Sequence, residues 1–419
     1  MKAGASVVLE ELFFPGARVF IPGSASEPVD LLRWLEADPS RSRNVELTTT
    51  LIPGVNRLDL TRLHPSLRLV GNFMQPDFRQ PQREGRYRHL SLTYAGLANH
   101  MRDSYRPDVV FCLVSPPDAS GRVSLGLSVE VTALCLAGAR RKVAVINSNM
   151  PFVPRSVAVS LADFDHVLES DAPLSTYDLG PSNPEAQRIA GYVASLIGDD
   201  VTLQTGLGKV PNAVLRALLD RRRLRLHSGM ASDGVAALAE AGCLDPDHVH
   251  MTCTILGTTA LYDWAGRQDL LAVAGCDHTH DPARVAGIER FVAVNSALAI
   301  DLFGQCDLEM AGGRLVSSFG GAPDFARGAR NSRGGISIVA APATYNVSGK
   351  LASRIIPQMG PDNLVSIPRN DVDVVVTEFG IADLRGRSVP ERAEALIEIA
   401  APSFRSQLTD QWREIFQRI

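Results

Sequence analysis

A glycine-rich turn before a helix is the first feature of the chain with chemical potential. In the stretch LQTGLGKVPNAVLRAL, residues 203–218, a strand pattern ends at Gly206 and Gly208, and a helix pattern begins near Pro211. Proline favours the first turn of a helix, where exposed backbone amides can bind an anion or a carbonyl oxygen. The spacing matches neither a dinucleotide-binding fingerprint nor a Walker A loop. We expect Gly206, Gly208 and Lys209 to contact a ligand; a plain strand-to-helix turn is the alternative.

A second glycine-rich stretch also contains several arginines. It reads SSFGGAPDFARGARNSRGG and covers residues 317–335. The pair Gly320 and Gly321 would let the backbone approach a ligand closely. Arginine side chains suit phosphate and carboxylate groups, and Arg327 is our candidate for such a contact. A solvated loop is the alternative.

A polar pair interrupts a strongly apolar strand pattern in AVNSALAIDLFGQ, residues 293–305. The pair consists of Asn295 and Ser296. A buried polar side chain needs a hydrogen-bond partner, and a side-chain amide can stabilise an oxyanion. Asn295 is therefore either an oxyanion donor or a hydrogen-bonded core residue.

The stretch LRLHSGMASDG, residues 224–234, has the pattern of an active-site strand and turn, yet it carries Gly229 at its centre.

Further along the chain lie four histidines: His248, His250, His278 and His280. Their spacing gives no closed tetrahedral ligand set, so we predict that there is no metal site.

The elements that would position these residues are short apolar strands alternating with helices. Strand patterns occur at residues 18–23, 44–50, 67–73, 108–114, 142–147, 201–206, 224–229, 249–257, 269–275, 291–304, 335–343 and 373–380. Helix patterns between them include residues 28–38 and 128–140. Nearly continuous apolar strands are typical of parallel sheets buried on both faces. A polar linker pattern at 170–187 predicts two open α/β domains, 1–186 and 187–419, with ligands bound beyond the carboxyl ends of the strands.

Composition excludes several classes of partner. The chain of 419 residues has a formal net charge of −4, which gives no basic surface for nucleic acid. No apolar run reaches the ~18 residues of a membrane span, and the first residues are a poor signal peptide. The six scattered cysteines predict reduced core thiols in a cytoplasmic protein.

An ordered set of motifs, spread over roughly residues 16–405, resembles the acetyl-CoA hydrolase/transferase family, which includes the 4-hydroxybutyrate, butyrate and succinate CoA-transferases. The matching stretches are RVFIPGSASEPVDLL, VSPPDASGRVSLGLSVE, INSNMP, LQTGLGKVPNAV, HSGMASDG, VNSALAIDLFGQ, GGAPDFARGARNSRGG and VVTEFGIADLRGRS. The resemblance implies a class I CoA-transferase fold with its active site in the interdomain cleft. It also implies coenzyme A as part of the substrate, no permanently bound cofactor, and a homodimer.

The chain departs from the family pattern at the nucleophile. The family segment matching residues 226–234 usually reads IHTEMxSDG, and its Glu forms the glutamyl-CoA thioester; here that position is Gly229, preceded by Ser228. The family's NSAxEVDL becomes NSALAIDL, with Ala299 in place of the acid, and VAGCDHTHDP, residues 273–282, also differs. Several changes together favour divergence over a single engineered substitution.

The missing carboxylate leaves three hypotheses open. In the first, an enzyme acts on an acyl-CoA by direct attack of water or a second substrate. The oxyanion donors implied by the resemblance are then Asn295 and the backbone of Gly320–Gly321, with Ser228 as a hydroxyl donor and Asp233 or His227 as a base. In the second, an ordinary CoA-transferase uses another carboxylate, for which Glu378 is the best candidate. In the third, the protein is a non-catalytic acyl-CoA-binding subunit.

Overall fold

The computed structural model of the protein describes residues 5–56, 58–347 and 349–419. Its backbone contacts divide the chain into two compact units, Met1–Asp178 with Val249–Thr279 and Leu179–His248 with His280–Ile419. The change of unit after Asp178 lies within the predicted linker at 170–187. The predicted division into 1–186 and 187–419 places Val249–Thr279 in the second domain, whereas the backbone contacts of this segment are with the first unit.

The first unit is built around one parallel sheet. Its strands up to residue 178 are β1 (Arg18–Ile21), β2 (Glu46–Thr49), β3 (Arg68–Gly71), β4 (Tyr87–His89), β5 (Val109–Val114), β6 (Arg122–Ser124), β7 (Arg141–Asn147), β8 (Ala158–Ser160) and β9 (His166–Ser170). Its helices there are α1 (Ala5–Leu12), α2 (Val29–Ala37), α3 (Arg79–Arg83), α4 (Tyr94–Asp103) and α5 (Thr132–Gly138). Seven strands form the sheet in the order β4-β3-β2-β1-β5-β7-β9, and β5 is buried along its whole length. The strands and helices predicted for this part are confirmed.

The chain then enters the second unit and returns briefly to the first. The first stretch of the second unit contains α6 (Pro184–Ser195), β10 (Thr202–Thr205), α7 (Lys209–Ala217), β11 (Arg225–Leu226), β12 (Met230–Ala231) and α8 (Asp233–Glu240). The returning segment contains β13 (His250–Thr252), β14 (Thr254–Ile255), α9 (Thr259–Ala265), β15 (Leu271–Val273) and α10 (Cys276–Thr279). Strands β13 and β15 pair in parallel, so this segment adds a small sheet of its own to the first unit.

The remainder of the chain completes the second unit. It contains α11 (Pro282–Ala286), β16 (Phe291–Asn295), β17 (Ala299–Asp301), β18 (Cys306–Asp307), β19 (Met310–Ala311), β20 (Arg314–Leu315), α12 (Ala322–Asn331), β21 (Ile336–Ala340), β22 (Thr344–Val347), β23 (Lys350–Ser353), β24 (Ile355–Ile356), β25 (Val374–Thr377), β26 (Gly380–Asp383), α13 (Val389–Glu398) and α14 (Pro402–Phe416). The apolar pattern at 291–304 predicted one strand, but the structure breaks it after Asn295. The pattern at 373–380 likewise becomes a strand and the start of an antiparallel partner.

The order of strands in the second unit identifies where a ligand would bind. Its main sheet has the order β11-β10-β16-β21-β25-β26, and every neighbouring pair is parallel except β25 and β26. The chain runs from β10 outward to β11 and later returns on the other side of β10 with β16. Open α/β sheets bind ligands outside the carboxyl ends of the strands at such a reversal. Here those ends are Thr205 and Asn295.

Burial supports these assignments. Residues of α11, β16 and α12, including Val285, Phe291, Phe325 and Ala329, pack as one apolar cluster. The predicted α/β class with mostly parallel sheets is confirmed. All six cysteines are buried and free of disulfides, also as predicted. None of the helices in the described ranges combines the length and the apolar character that a membrane crossing requires.

Candidate active site

Ser228 fixes the turn that carries Gly229 against the end of β10. Its hydroxyl donates to the Thr205 carbonyl oxygen at 3.0 Å and accepts from the backbone N–H of Thr205 and of Met230, both at 3.3 Å. The side chain is fully buried. Because the hydroxyl proton is already donated to Thr205, Ser228 in this arrangement positions the Gly229 turn rather than offering a hydrogen bond to a ligand.

The space beside Gly229 is occupied by an imidazole ring. A Cβ built on Gly229 would lie 2.8 Å from His280 Nε2, 3.0 Å from His280 Cε1 and 3.3 Å from Phe325 Cε2. Real Cβ atoms essentially never approach other atoms to less than 3.0 Å. A Cβ on Gly321 would meet the same imidazole even more closely. His280 therefore fills the volume that a side chain at position 229 or 321 would need.

His280 is held as a neutral ring. Only 2% of the residue is exposed, and its ring centroid lies 4.5 Å from that of Phe325. Burial first, and the nearby His227 second, lower its pKa from 6.5 to about 3. His227 is also buried and lies edge-on to Phe291. At neutral pH the ring of His280 thus carries one donor and one acceptor nitrogen and no charge.

The structure leaves a hydrogen-bond donor of Asn295 without an acceptor. The residue is 5% exposed, and its Oδ1 accepts from Gln204 Nε2 at 3.4 Å. Its Nδ2 has no partner among the described residues, and neither has Gln204 Oε1. Leaving a buried polar group unsatisfied costs about 1–3 kcal/mol. Such a donor at the carboxyl end of a central strand is suited to an oxygen that arrives with a substrate.

Gly320 and Gly321 lie where α12 begins. Gly320 has a φ of +55°, which favours glycine, and Gly321 is the residue that caps the helix. The Gly321 carbonyl oxygen accepts from Phe325 N–H at 3.1 Å, which fixes the Gly-Gly turn to the helix that carries Phe325. The predicted Gly-Gly turn is therefore in contact with the same imidazole as Gly229, so the structure brings these two sequence motifs together through His280.

The turn between β10 and α7 has the conformation that its sequence predicts. Gly208 has a φ of +129° and caps α7, so a glycine is required there. A Cβ on Gly206 would meet no atom within 4 Å, which means that space is open beside this residue. Lys209 is exposed in the first turn of α7, and Asp233 is half-buried in the first turn of α8.

Two charged candidates have protein partners. Arg327 donates through Nε and Nη2 to one carboxylate oxygen of Asp371, at 3.0 and 2.9 Å, so any ligand there would compete with an ion pair. Glu378 is buried after the end of β25, and its Oε2 accepts from Ala343 N–H at 2.8 Å. Within the described ranges, no cluster of three or more histidine, cysteine, aspartate or glutamate side chains could hold a metal ion.

Sequence reasoning considered His280 only as a metal ligand and missed its packing role. A sequence pattern does not reveal a contact between residues so far apart in the chain. The family resemblance predicted departures at Gly229 and in the segment 273–282 that contains His280, but it gave no sign that the two meet.

Comparisons with known proteins agree with the motif set. The acetyl-CoA hydrolase/transferase C-terminal domain matches residues 257–412. The chain is 32% identical to the 4-hydroxybutyrate coenzyme A transferase of Clostridium kluyveri, over 96% of this chain and 94% of that protein. It is 33% identical to the butyryl-CoA:acetate CoA-transferase of Anaerostipes caccae, over 77% of this chain and 74% of that one.

Solved structures give the same result. RipA from Yersinia pestis superposes with a TM-score of 0.88 at 28% identity, over 97% of both chains. The 4-hydroxybutyrate CoA-transferase of Porphyromonas gingivalis superposes with a TM-score of 0.80 at 29% identity, over 100% of this chain and 97% of that one. With sequence, fold and ordered motifs in agreement, this chain belongs to the acetyl-CoA hydrolase/transferase family.

Proposed function

We propose that the protein is an acyl-CoA-processing enzyme that cleaves the thioester by direct attack and forms no glutamyl-CoA intermediate. The observation that carries this proposal is the filled space at Gly229. Position 229 has no side chain that could be acylated, and the imidazole of His280 occupies the space that one would need. The relatives named above are transferases of coenzyme A, which supports a CoA thioester as the substrate.

In this proposal the thioester carbonyl oxygen accepts hydrogen bonds from Asn295 Nδ2 and from the backbone at Gly320–Gly321. One such oxyanion donor contributes roughly 3 kcal/mol to transition-state stabilisation. Water or a second substrate attacks the carbonyl carbon, and the tetrahedral intermediate expels the CoA thiolate, which takes up a proton. Attack by water gives the free acid and coenzyme A; attack by an amine, alcohol or carbanion gives acyl transfer.

The proton from the attacking group needs a base, and His280 is poorly suited to be that base. An imidazole with a pKa of about 3 is neutral at pH 7, but it has little affinity for a proton. Asp233 and His227 therefore remain the candidates for this role. In the proposal, His280 closes the former nucleophile position and holds the Gly229 and Gly321 turns apart.

The direct test is a turnover assay combined with intact-mass measurement. Purified protein is mixed with acetyl-, butyryl- and succinyl-CoA, and both free thiol and free acid are quantified. We expect thiol release with no acyl or CoA adduct on the protein, and no borohydride-trappable thioester. An adduct on Glu378 during turnover would favour the ordinary transferase. Tight binding of all three thioesters without turnover would favour a non-catalytic subunit.

The remaining features of the proposal come from the family resemblance and, for the cytoplasmic location, from the six scattered cysteines. Coenzyme A is part of the substrate, no cofactor is permanently bound, and the protein is a cytoplasmic homodimer. Light scattering on the purified protein tests the homodimer, because a monomer and a dimer of a 45.1 kDa chain are easily separated by mass.

A further inference from the structure

A cavity of about 260 Å³ in the second unit plays no part in the mechanism above. It lies between β17, the β19–β20 hairpin and the end of β23. Apolar residues, among them Leu298, Ala299, Met310 and Ile356, form much of its wall, and Arg354 and Asp362 also line it. At about 30 Å³ for each water in the liquid, the cavity has room for roughly nine waters, which suits a small ligand.

Arg354 is anchored by only one edge of its guanidinium. Its Nη1 donates to the carbonyl oxygen of Leu298 at 3.0 Å and to that of Ala297 at 3.5 Å, and its Cζ lies 4.9 Å above the ring of Tyr345. Nε is buried and has no partner among the described residues. Within the same residues no carboxylate forms an ion pair with Arg354.

An arginine with these contacts has no ion-paired carboxylate among the described residues. Burial lowers the pKa of Arg354, which reflects the cost of holding a charged group there, although Tyr345, Glu185 and Glu378 act to raise it. The Nε–Nη2 edge of a guanidinium matches the two oxygens of a carboxylate. Asp362 lines the same cavity but is exposed and forms no ion pair with Arg354, so it does not supply that partner.

The cavity is close to the candidate active site along the chain. Leu298 follows Asn295 by three residues, and three fully extended residues span at most ~11 Å. The part of the cavity wall formed by Leu298 is therefore within this distance of Asn295. The apolar part of the cavity wall suits a short hydrocarbon chain.

We propose that this cavity binds a small carboxylate-bearing ligand, with the carboxylate on the unpartnered Nε–Nη2 edge of Arg354 and its short chain against Leu298, Met310 and Ile356. The carboxylate comes either from a free short-chain acid or from the far end of an acyl chain attached to coenzyme A. The link to catalysis rests on the proposed function, whereas the binding site itself does not.

Calorimetric titration of the whole protein distinguishes the two sources. The first arm compares butyrate with butyramide, which has the same shape without the charge. The second arm compares thioether analogues of succinyl-CoA and butyryl-CoA, which cannot be turned over. Preference for butyrate over butyramide identifies the free acid, and preference for the succinyl over the butyryl analogue identifies the acyl-bound carboxylate.

Three variants test the assignment of Arg354. We expect Arg354→Gln to weaken binding of the preferred carboxylate ~10- to 100-fold, the usual worth of a charged hydrogen-bonding partner. Arg333→Gln is the matched control, because Arg333 is exposed and forms its ion pair with exposed Glu289. Asp362→Asn should leave the fold unchanged and tighten binding of the same carboxylate, because a nearby negative charge is removed. The expectation for Asp362→Asn can be tested even if Arg354→Gln proves unstable.

Two results would overturn the proposal. One is equal affinity for charged and uncharged ligands in both arms. The other is a carboxylate preference that neither Arg354→Gln nor Asp362→Asn alters. Because all these measurements are of binding, a protein that binds the carboxylate but turns over no thioester would refute the proposed function and leave this site intact.

Discussion

Replacing Gly229 tests the packing on which the proposed function depends. A Cβ at this position would lie 2.8 Å from His280 Nε2, whereas favourable contacts between such atoms lie at ~3.5–4.0 Å. His280 cannot move freely, because it is also packed against Gly321 and Phe325. Overpacking of this kind costs about 1–3 kcal/mol. We therefore expect Gly229→Ala to destabilise the second unit by that amount.

The corresponding shift in melting temperature can be estimated from the size of the unit. For domains of 150–250 residues, 1 kcal/mol corresponds to roughly 2–4 °C, so Gly229→Ala should lower Tm by about 2–12 °C. Gly191→Ala is the control, because Gly191 is exposed in α6 and a Cβ there would meet nothing within 4 Å. That substitution should be neutral or stabilising by ~0.5–1 kcal/mol.

A double-mutant cycle shows whether His280 is the cause. In the protein with His280→Ala the ring is gone, so Gly229→Ala should then cost far less, with a coupling of roughly 1 kcal/mol or more. Differential scanning calorimetry of the four proteins gives this number. Equal costs of Gly229→Ala with and without the ring, or a wild-type Tm for Gly229→Ala alone, would refute the reasoning.

The same geometry changes the expected outcome of restoring a nucleophile. Gly229→Glu alone should give no acyl exchange with acetate, because the side chain has no space. Gly229→Glu with His280→Ala provides the space and should form a borohydride-trappable enzyme thioester if the rest of a transferase site is intact. Exchange by the single variant would mean that His280 moves aside without significant cost.

Three further predictions concern single side chains. Asn295→Ala should lower kcat ~10²- to 10³-fold, as expected for an oxyanion donor; an unchanged kcat would exclude that role. Glu130 is buried, and burial raises its pKa from 4.5 to about 7. The folded state therefore keeps a proton that the unfolded state loses near pH 4.5, and the stability of the fold decreases as the pH rises from 4.5 to about 7. Glu130→Gln should therefore raise Tm more at pH 8 than at pH 5, and equal changes at both would contradict the assignment. For His280 the pKa is about 3 in the folded state and 6.5 in the unfolded state, so the free energy of unfolding decreases as the pH falls from 6.5 to about 3. His280→Gln should make the free energy of unfolding, measured by urea titration, less sensitive to acid.

Local patterns predicted much of the fold because they reflect burial directly. The run DVVFCLV is buried on both faces of a parallel sheet, so β5 could be recognised from its apolar residues alone. The segment Val249–Thr279 shows the limit of this approach. Its strands have the same apolar pattern as their neighbours, but the pattern carries no information about which unit they join.

The candidate site was predictable to a similar extent. Asn295 could be singled out because a polar residue interrupts an apolar run, and the structure places it at the end of a central strand. Ser228 also has a conspicuous type and position, but its hydrogen bonds are to backbone groups of Thr205 and Met230, and a sequence cannot reveal those partners. The contact of His280 with Gly229 was likewise beyond sequence reasoning, since it depends on the tertiary fold.

The surroundings of Gly229 and Ala299 differ: a side chain fills the space beside Gly229, whereas a cavity is open beside Ala299. Truncating one side chain in an otherwise unchanged site leaves a cavity, because the surroundings relax only partly. At Gly229 there is no such cavity, since His280 packs against Gly229, Gly321 and Phe325. Ala299, in contrast, borders an open cavity next to Arg354. Filling at one position and opening at the other agrees with our proposal that the site serves a different attacking group, whereas truncation of one side chain alone would be expected to leave a cavity at Gly229.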